Sequence, residues 1–280
     1  SIALFANSSI VEKKDSKYLS YRSKVWQETS RGGLPEIFLE NVDFEKYAEF
    51  VMDYPILFIK KNEKYLSGKN YKFSDYMNGN IQEINKSLPS IEDLGLHLST
   101  IFTENRLKQY IELRSMDTCG WDCICAGPAF FTGLLYGNLD EALEFISKWE
   151  KKDLLNAYKD APMKGLDSNL MGKDMIYWIS NLLKIAEKGL EKRDFIGKSG
   201  TNETKYLEHL NKIINNKETV ASHVINKFSK FQNLEDLYKT QLDELTSFGF
   251  YDKDLNIQCL RRANGDLNTA LNFLLDVYKN

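Results

Sequence analysis

The stretch HLSTIFTENRLKQYIELRSMDTCGWDCICAGPAFFTGLLY, residues 97–136, decides how this chain is organised. Its centre, residues 110–117, alternates with the period of a β-strand. Side chains two apart on a strand point the same way, so Glu112 and Arg114 are presented together. This pair of opposite charges suits a metal ion beside an anionic substrate. The alternative is a surface ion pair on a half-solvated sheet, because such alternation is ordinary.

The size and composition of the chain narrow the class of protein. Its 280 residues suit one large domain, or a medium domain with an appendage. A hydrophobic fraction of 42% and an aromatic fraction of 12% are enough to build a real core. The net charge is −3 and no block of like charges stands out. A nucleic-acid partner is therefore not expected, since such surfaces cluster Lys and Arg.

The cysteines and the hydropathy pattern bear on location. Cys119, Cys123 and Cys125 lack the second ligand pair that a structural zinc site needs, and they do not form a secreted disulfide framework. We therefore expect reduced, buried thiols in a cytosolic protein. No apolar run reaches the ~18 residues of a membrane span, and no signal peptide is seen. These features predict a cytoplasmic protein without a membrane partner.

A second alternating stretch, residues 17–26, reads as a strand that ends on Trp26. It contains Arg22, whose guanidinium could grip a carboxylate or a phosphate through two parallel hydrogen bonds. An exposed arginine on an edge strand is the alternative.

Three segments resemble the plant and proteobacterial type of glutamate–cysteine ligase. They are residues 100–117 (TIFTENRLKQYIELRSMD) with Trp121, residues 125–136 (CAGPAFFTGLLY), and the element that contains Ser20, Arg22, Ser23 and Trp26. About forty consecutive positions around the first segment agree in residue kind and spacing. The family has a run similar to SIALFANSS well inside its catalytic domain. The resemblance therefore implies a chain whose amino-terminal half is missing.

The resemblance implies a chemistry and a set of residue roles. Such ligases use ATP and Mg²⁺ to phosphorylate the side-chain carboxylate of L-glutamate, and the amine of L-cysteine then attacks, in the first step of glutathione biosynthesis. Glu112 is the implied magnesium ligand, Arg114 and Arg22 are the implied catalytic anion contacts, and Ser20 joins both arginines in cofactor binding. The remaining metal ligands are expected upstream of Ser1. Glu104 and Asp117 are weaker candidates, with ordinary surface charges as the alternative.

The last part of the chain, residues 233–280, reads as three short helices separated by a Phe248-Gly249-Phe250 turn and a second turn at 264–266. It resembles a ubiquitin-associated (UBA) domain, which implies ubiquitin binding through Phe248, Gly249, Phe250, Leu274 and Leu275. The alternative is a small helical dimerisation or docking module. If the tail binds ubiquitin, the whole chain could have a different function from a ligase. It would then be a ubiquitin-binding adaptor in which the ligase-like part is only a scaffold.

The predicted architecture is α+β. Residues 1–230 would form the carboxyl-terminal part of a glutamine-synthetase-like ligase domain, in which a partial antiparallel sheet of three to four strands carries the site and a helical subdomain follows. Residues 233–280 would form a three-helix bundle.

Overall fold

The computed structural model describes residues 1–29, 31–40, 42–61, 63–68, 70–198 and 200–278. The chain divides into two compact units, Ser1–Ala221 and Ser222–Asn280. The boundary between domains was predicted near residues 230–233. These residues lie in the second unit, inside a helix that spans Val220–Leu237.

Helices dominate the first unit. In chain order they are α1 (Tyr21–Glu28), α2 (Phe44–Asp53), α3 (Phe73–Met77), α4 (Ile91–Ser99), α5 (Ala126–Thr132), α6 (Leu139–Ile146), α7 (Lys151–Lys164), α8 (Met175–Arg193) and α9 (Glu208–Asn216). The next helix, α10 (Val220–Leu237), lies almost entirely in the second unit. Short 3₁₀ turns lie at Glu36–Leu39, Gln82–Ile84, Trp121–Cys123, Gly165–Asp167 and Glu203–Leu207, and Gly133–Gly137 is a π-helical turn.

The strands are short and pair two by two. They are β1 (Ile10–Val11), β2 (Lys14–Asp15), β3 (Gly32–Gly33), β4 (Phe58–Lys61), β5 (Lys64–Ser67), β6 (Phe102–Thr103), β7 (Asn105–Leu107), β8 (Ile111–Leu113), β9 (Asn169–Leu170) and β10 (Lys173–Asp174). The described residues form five two-stranded sheets, of which β3–β6 is parallel and the others are antiparallel. A mixed α+β chain is confirmed. The expected sheet of three to four strands is wrong for the described residues, because helices and turns interrupt the strands after two to four residues.

The strand predicted at residues 17–26 is also wrong, because Tyr21–Glu28 form the helix α1. Ser20 is its N-cap and accepts a hydrogen bond from the backbone N–H of Ser23 at 3.2 Å. Serine is among the preferred N-cap residues because its oxygen satisfies a free helical N–H. The alternation over these few residues therefore predicted a strand wrongly, because the N-cap at Ser20 favours a helix.

The sequence also predicts short helices over residues 73–77 and 91–98, a hairpin after Pro55 and a helix over residues 126–136. The first three of these predictions are confirmed. The helix at residues 73–77 and the helix that begins at Ile91 are present, and Ser90 caps the latter in a capping box with Asp93. The hairpin predicted after Pro55 is the antiparallel pair β4–β5. Residues 126–136, predicted as one helix, form α5 and the π-helical turn.

The main core of the first unit lies between α5, the π-helical turn and α8. Phe130, Leu134, Ile179, Leu183 and Leu190 are among its buried side chains. The π-helical turn approaches α8 so closely that a Cβ added to Gly137 would lie 2.2 Å from the carbonyl oxygen of Gly189. Glycine is required at such a contact because any side chain would push the two backbones apart.

Three of the four cysteines differ from the prediction of reduced, buried thiols, and Cys259 agrees with it. Cys119 and Cys123 form a disulfide, with their Cα atoms 6.0 Å apart. Cys125 is a free, exposed thiol, and Cys259 is free and buried. None of the described helices combines the length and the apolar character needed to span a membrane.

The tail has its own core. The helices α11 (Lys239–Ser247), α12 (Lys253–Arg262) and α13 (Leu267–Tyr278) surround it. Leu245, Leu260 and Leu274 are completely buried between them.

Candidate active site

Arg106 and Glu112 form the centre of the site. The register of β7 and β8 places the two residues opposite each other, and opposite residues of an antiparallel pair share a face. Arg106 donates from Nε and Nη2 to Oε2 of Glu112 at 2.7 and 2.6 Å. Its Nη1 donates to the carbonyl oxygen of Ser99 at 2.7 Å. The Arg106 side chain is only 9% exposed, whereas the Glu112 side chain is 29% exposed, so the carboxylate still reaches water.

The carboxylate of Glu112 contacts three cationic side chains. Besides Arg106, Nζ of Lys108 lies 3.6 Å from Oε2, and Nη1 of Arg114 lies 3.3 Å from Oε1. Burial opposes the ionisation of Glu112, but the hydrogen bond from Arg106 and the three positive charges outweigh it, so the pKa of Glu112 lies below its ordinary value. One carboxylate among three cations leaves excess positive charge. The cluster is therefore suited to an anionic group.

Arg114 contacts two aromatic rings and the carboxylate of Glu112. Its guanidinium carbon lies 5.5 Å from the ring centre of Trp26 and 5.6 Å from that of Phe102, within the range of cation–π attraction. The ion pair with Glu112 confirms that the two side chains share one face, as the alternation predicted. Nε of Arg114 is buried and has no hydrogen-bond partner among the described residues. This N–H is a donor that an anion could use.

Arg22 lies in the first turn of α1 and reaches the same region. Its Nη2 donates to the carbonyl oxygen of Arg114, and Nη1 lies 3.9 Å from Oδ1 of Asp117. The structure thus brings together Arg22 and Arg114, which are far apart in sequence. Ser20 is 1% exposed, and its hydroxyl caps α1 and donates to Asp117 at 3.0 Å. Contact between Ser20 and a cofactor stays a prediction.

Asp117 is a buried carboxylate that connects several segments of the site. It is not a surface charge, since only 2% of its side chain is exposed. Oδ2 accepts hydrogen bonds from the backbone N–H of Asn7 and from the hydroxyl of Ser8, both at 2.8 Å. The Ser8 hydroxyl in turn accepts from the backbone N–H of Arg22 at 3.0 Å. Asp117 therefore ties three segments together around Arg22, and its place at the end of the alternating stretch gave no sign of this.

The donor set does not make a magnesium site by itself. The parts of the chain that the structure describes contain no group of three or more His, Cys, Asp or Glu side chains able to hold a metal ion. Mg²⁺ needs several oxygen ligands in near-octahedral geometry, whereas the Glu112 carboxylate contacts three cations. The described residues therefore do not fit a complete magnesium site, and metal binding by Glu112 stays a prediction.

His97, close to the predicted strand, has structural contacts only. Its Nε2 lies 2.9 Å from the carbonyl oxygen of Val51, and its ring stacks on Phe73. Burial lowers the pKa of His97, so the imidazole is neutral at physiological pH.

The five residues predicted to bind ubiquitin lie in the tail and differ in exposure. Phe248 is 58% exposed and Leu275 is 45% exposed, whereas Leu274 is completely buried in the tail core. Gly249 adopts a φ of +94°, and Phe250 packs against Tyr278 at 5.6 Å between ring centres. Leu274 therefore supports this surface and cannot itself contact a partner, which corrects the prediction for that residue.

Comparison with known proteins identifies relatives for most of the chain. The sequence model of the glutamate–cysteine ligase family 2 matches residues 1–237. The chain is 34% identical over 230 residues to the chloroplastic glutamate–cysteine ligase of Solanum lycopersicum, covering 80% of this chain and 42% of that protein. It is 32% identical over 240 residues to glutamate–cysteine ligase A of Oryza sativa subsp. indica, covering 84% and 48%. The chain thus spans less than half the length of these relatives.

The same comparison corrects the predicted cellular location and does not test ubiquitin binding by the tail. The relatives from Solanum lycopersicum, Oryza sativa and Arabidopsis thaliana are named as chloroplastic, so the predicted cytoplasmic location is wrong. The family match ends at residue 237, before α11. It does not bear on ubiquitin binding by the tail.

Proposed function

The chain belongs to the glutamate–cysteine ligase family 2, and from this membership we propose that the protein joins L-glutamate to L-cysteine at the expense of ATP. The product would enter glutathione biosynthesis. A plastid is the location that fits, because the named relatives are chloroplastic.

The proposed reaction has two steps. An oxygen of the glutamate side-chain carboxylate attacks the γ-phosphorus of ATP, and the bond to ADP breaks. The amine of cysteine then attacks the carbonyl carbon of the acyl phosphate, the carbon–oxygen bond to phosphate breaks, and the amine loses a proton. Both steps move negative charge between oxygens, so fixed cationic donors are the main demand on the protein.

The hydrogen bond from the guanidinium of Arg22 to the backbone carbonyl of Arg114 is the observation that supports this proposal, because it places both arginines in one region. Their guanidinium groups would bind the anionic oxygens of glutamate and of the transferred phosphoryl group. Arg106 and Glu112 would orient Arg114, and Asp117 would orient Arg22. Because a preorganised donor needs no reorientation during the reaction, each of these contacts should act on the rate.

ATP and Mg²⁺ are carried over as the expected cofactors of the family. The nucleotide phosphates fit the excess positive charge around Glu112. Since the described residues do not complete a magnesium site, we assign no step of the reaction to the metal.

Cysteine-dependent ADP release tests the proposal. The protein is incubated with ATP, Mg²⁺ and glutamate, and ADP is measured with and without cysteine. We expect release only when both amino acids are present. ADP release that ignores cysteine would contradict the proposed reaction. Titration calorimetry of Mg–ATP separates binding from turnover.

A second candidate function is ubiquitin binding by the tail. The observation that favours it is the exposed apolar surface of Phe248 and Leu275 above a buried core, since apolar patches of this kind mark recognition sites. Titration of ubiquitin into the ¹⁵N-labelled chain should shift the amide signals of residues 248–250 and 275. If the signals of these residues do not move, the tail is not a ubiquitin-binding module.

A further inference from the structure

The first unit contains a cavity that the proposed reaction does not use. Its volume is about 300 Å³, which is at the small end of ligand-binding pockets and equals the volume of about ten water molecules. Apolar side chains from α7, β9 and α8 form much of its wall, among them Leu154, Ala157, Leu170 and Met175. Such a wall accepts a short hydrocarbon chain.

One side of this cavity carries the carboxylate of Glu104. The residue is 8% exposed, and Oε1 accepts a hydrogen bond from the hydroxyl of Tyr158 at 2.7 Å. Burial and the charge of Glu104 raise the pKa of Tyr158 far above its ordinary value, so this hydroxyl keeps its proton and continues to donate.

Glu104 has no cationic side chain beside it. Among the described residues, no Lys, Arg or His forms an ion pair with it. A buried carboxylate without a countercharge is costly, and a cation that enters the cavity would remove that cost.

A second polar atom of the cavity wall lacks a partner. Trp149 lines the cavity, and its Nε1 is buried without a hydrogen-bond partner among the described residues. Buried donors are nearly always satisfied in native proteins. The cavity therefore combines an uncompensated acceptor, an unused donor and an apolar wall.

From this combination we propose that the cavity binds a small primary ammonium compound with a short apolar chain. The ammonium group lies against Glu104, and the chain lies along the side chains of α7 and α8. The inference rests on the wall of the cavity and does not rest on the proposed function.

Titration calorimetry with n-butylammonium chloride tests this proposal in the full chain. The measurement is made near pH 8, and 1-butanol serves as the uncharged analogue. We expect Glu104→Gln to weaken butylammonium binding about tenfold or more, because a charged hydrogen bond is replaced by a neutral one. Binding of 1-butanol should change little.

Two further variants make the result specific. Glu92→Gln removes a carboxylate that is exposed on α4 and should leave butylammonium binding unchanged. Ala157→Leu fills the cavity from α7 and should abolish binding of both compounds, with circular dichroism confirming that the chain is folded. The proposal is overturned if the wild-type chain does not bind butylammonium. It is also overturned if Glu104→Gln or Ala157→Leu, when folded, binds it as tightly as the wild type does.

Discussion

The strand pair β7–β8 and the three-helix tail present different chemistry to a partner. In the strand pair the candidate groups are charges, and each is held by another charge, as Arg106 holds Glu112 and Glu112 holds Arg114. In the tail the candidate groups are apolar, and they stand on a core that contains Leu245. A charge needs neighbours that contact it directly, whereas an apolar patch needs only a stable surface beneath it.

This difference determines what a mutation should change. Substitutions in the tail core should act mainly on folding, whereas substitutions in the charged cluster around β7–β8 should act mainly on the chemistry and less on stability. Four experiments test that division, and they follow in order of decreasing expected effect.

The largest effect is expected from Leu245→Ala in the tail. Leu245 is completely buried, and leucine-to-alanine changes in a core cost about 2–5 kcal/mol because a cavity is left behind. A small three-helix unit has little stability to lose, so the tail amides should lose protection in hydrogen exchange, while those of α5 and α8 keep theirs. Leu275→Ala, at an exposed position of the same unit, is the matched control. Retained protection of the tail would contradict the division.

Arg114→Ala should come next, acting on the reaction and not on the fold. Loss of one preorganised charged donor typically costs about 10²-fold in rate, or about 2.7 kcal/mol. Cysteine-dependent ADP release is the measurement, with thermal unfolding to show that the variant is folded. Arg193→Ala removes an arginine from the end of α8, where it pairs with Glu203, and should leave the rate unchanged. Equal losses in the two variants would remove Arg114 from the proposed site.

Asp117→Asn should have an intermediate effect that combines both kinds of change. The amide keeps one acceptor oxygen, but its NH₂ group faces donors that need an acceptor, such as the hydroxyl of Ser8. A buried donor left unsatisfied costs about 1–3 kcal/mol. Denaturant unfolding should report this loss, and ADP release should also fall because Arg22 is less firmly held. A drop in stability with full activity would show that Asp117 does not orient Arg22.

Much of the fold and part of the site could be predicted from the sequence. The helices around Phe73 and Ile91 carry capping and hydrophobic signals within a few residues. Likewise, the common face of Glu112 and Arg114 follows from the strand period alone. Local signals of this kind need no knowledge of distant segments.

The rest depends on long-range contacts. Arg106 lies opposite Glu112 only because a hairpin sets the register, and Asp117 gains its role from Ser8, which is far away in sequence. The alternation at residues 17–26 failed because the N-cap contact of Ser20 and its bond to Asp117 favour a helix there. A pattern read within one segment cannot contain the partners that the fold supplies.

The smallest effect concerns the charge of Glu112 and appears as a dependence on pH. The pKa of Glu112 is lower in the folded chain than its ordinary value, so its ionisation stabilises the fold above the unfolded pKa of about 4.3. This stabilisation is lost as pH falls through the folded pKa. Glu112→Gln should therefore be less stable than the wild type near pH 7, by about 1 kcal/mol or less because the carboxylate is partly exposed to water.

The difference between Glu112→Gln and the wild type should shrink as the solution is acidified, because a protonated Glu112 resembles glutamine in charge. Urea unfolding across this pH range measures it, and Glu92→Gln, at an exposed carboxylate of α4, should show no comparable trend. A difference that is constant with pH would mean that Glu112 acts through its shape alone. In that case the three surrounding cations would not be balanced by its charge, and the electrostatic account of the strand pair would fail.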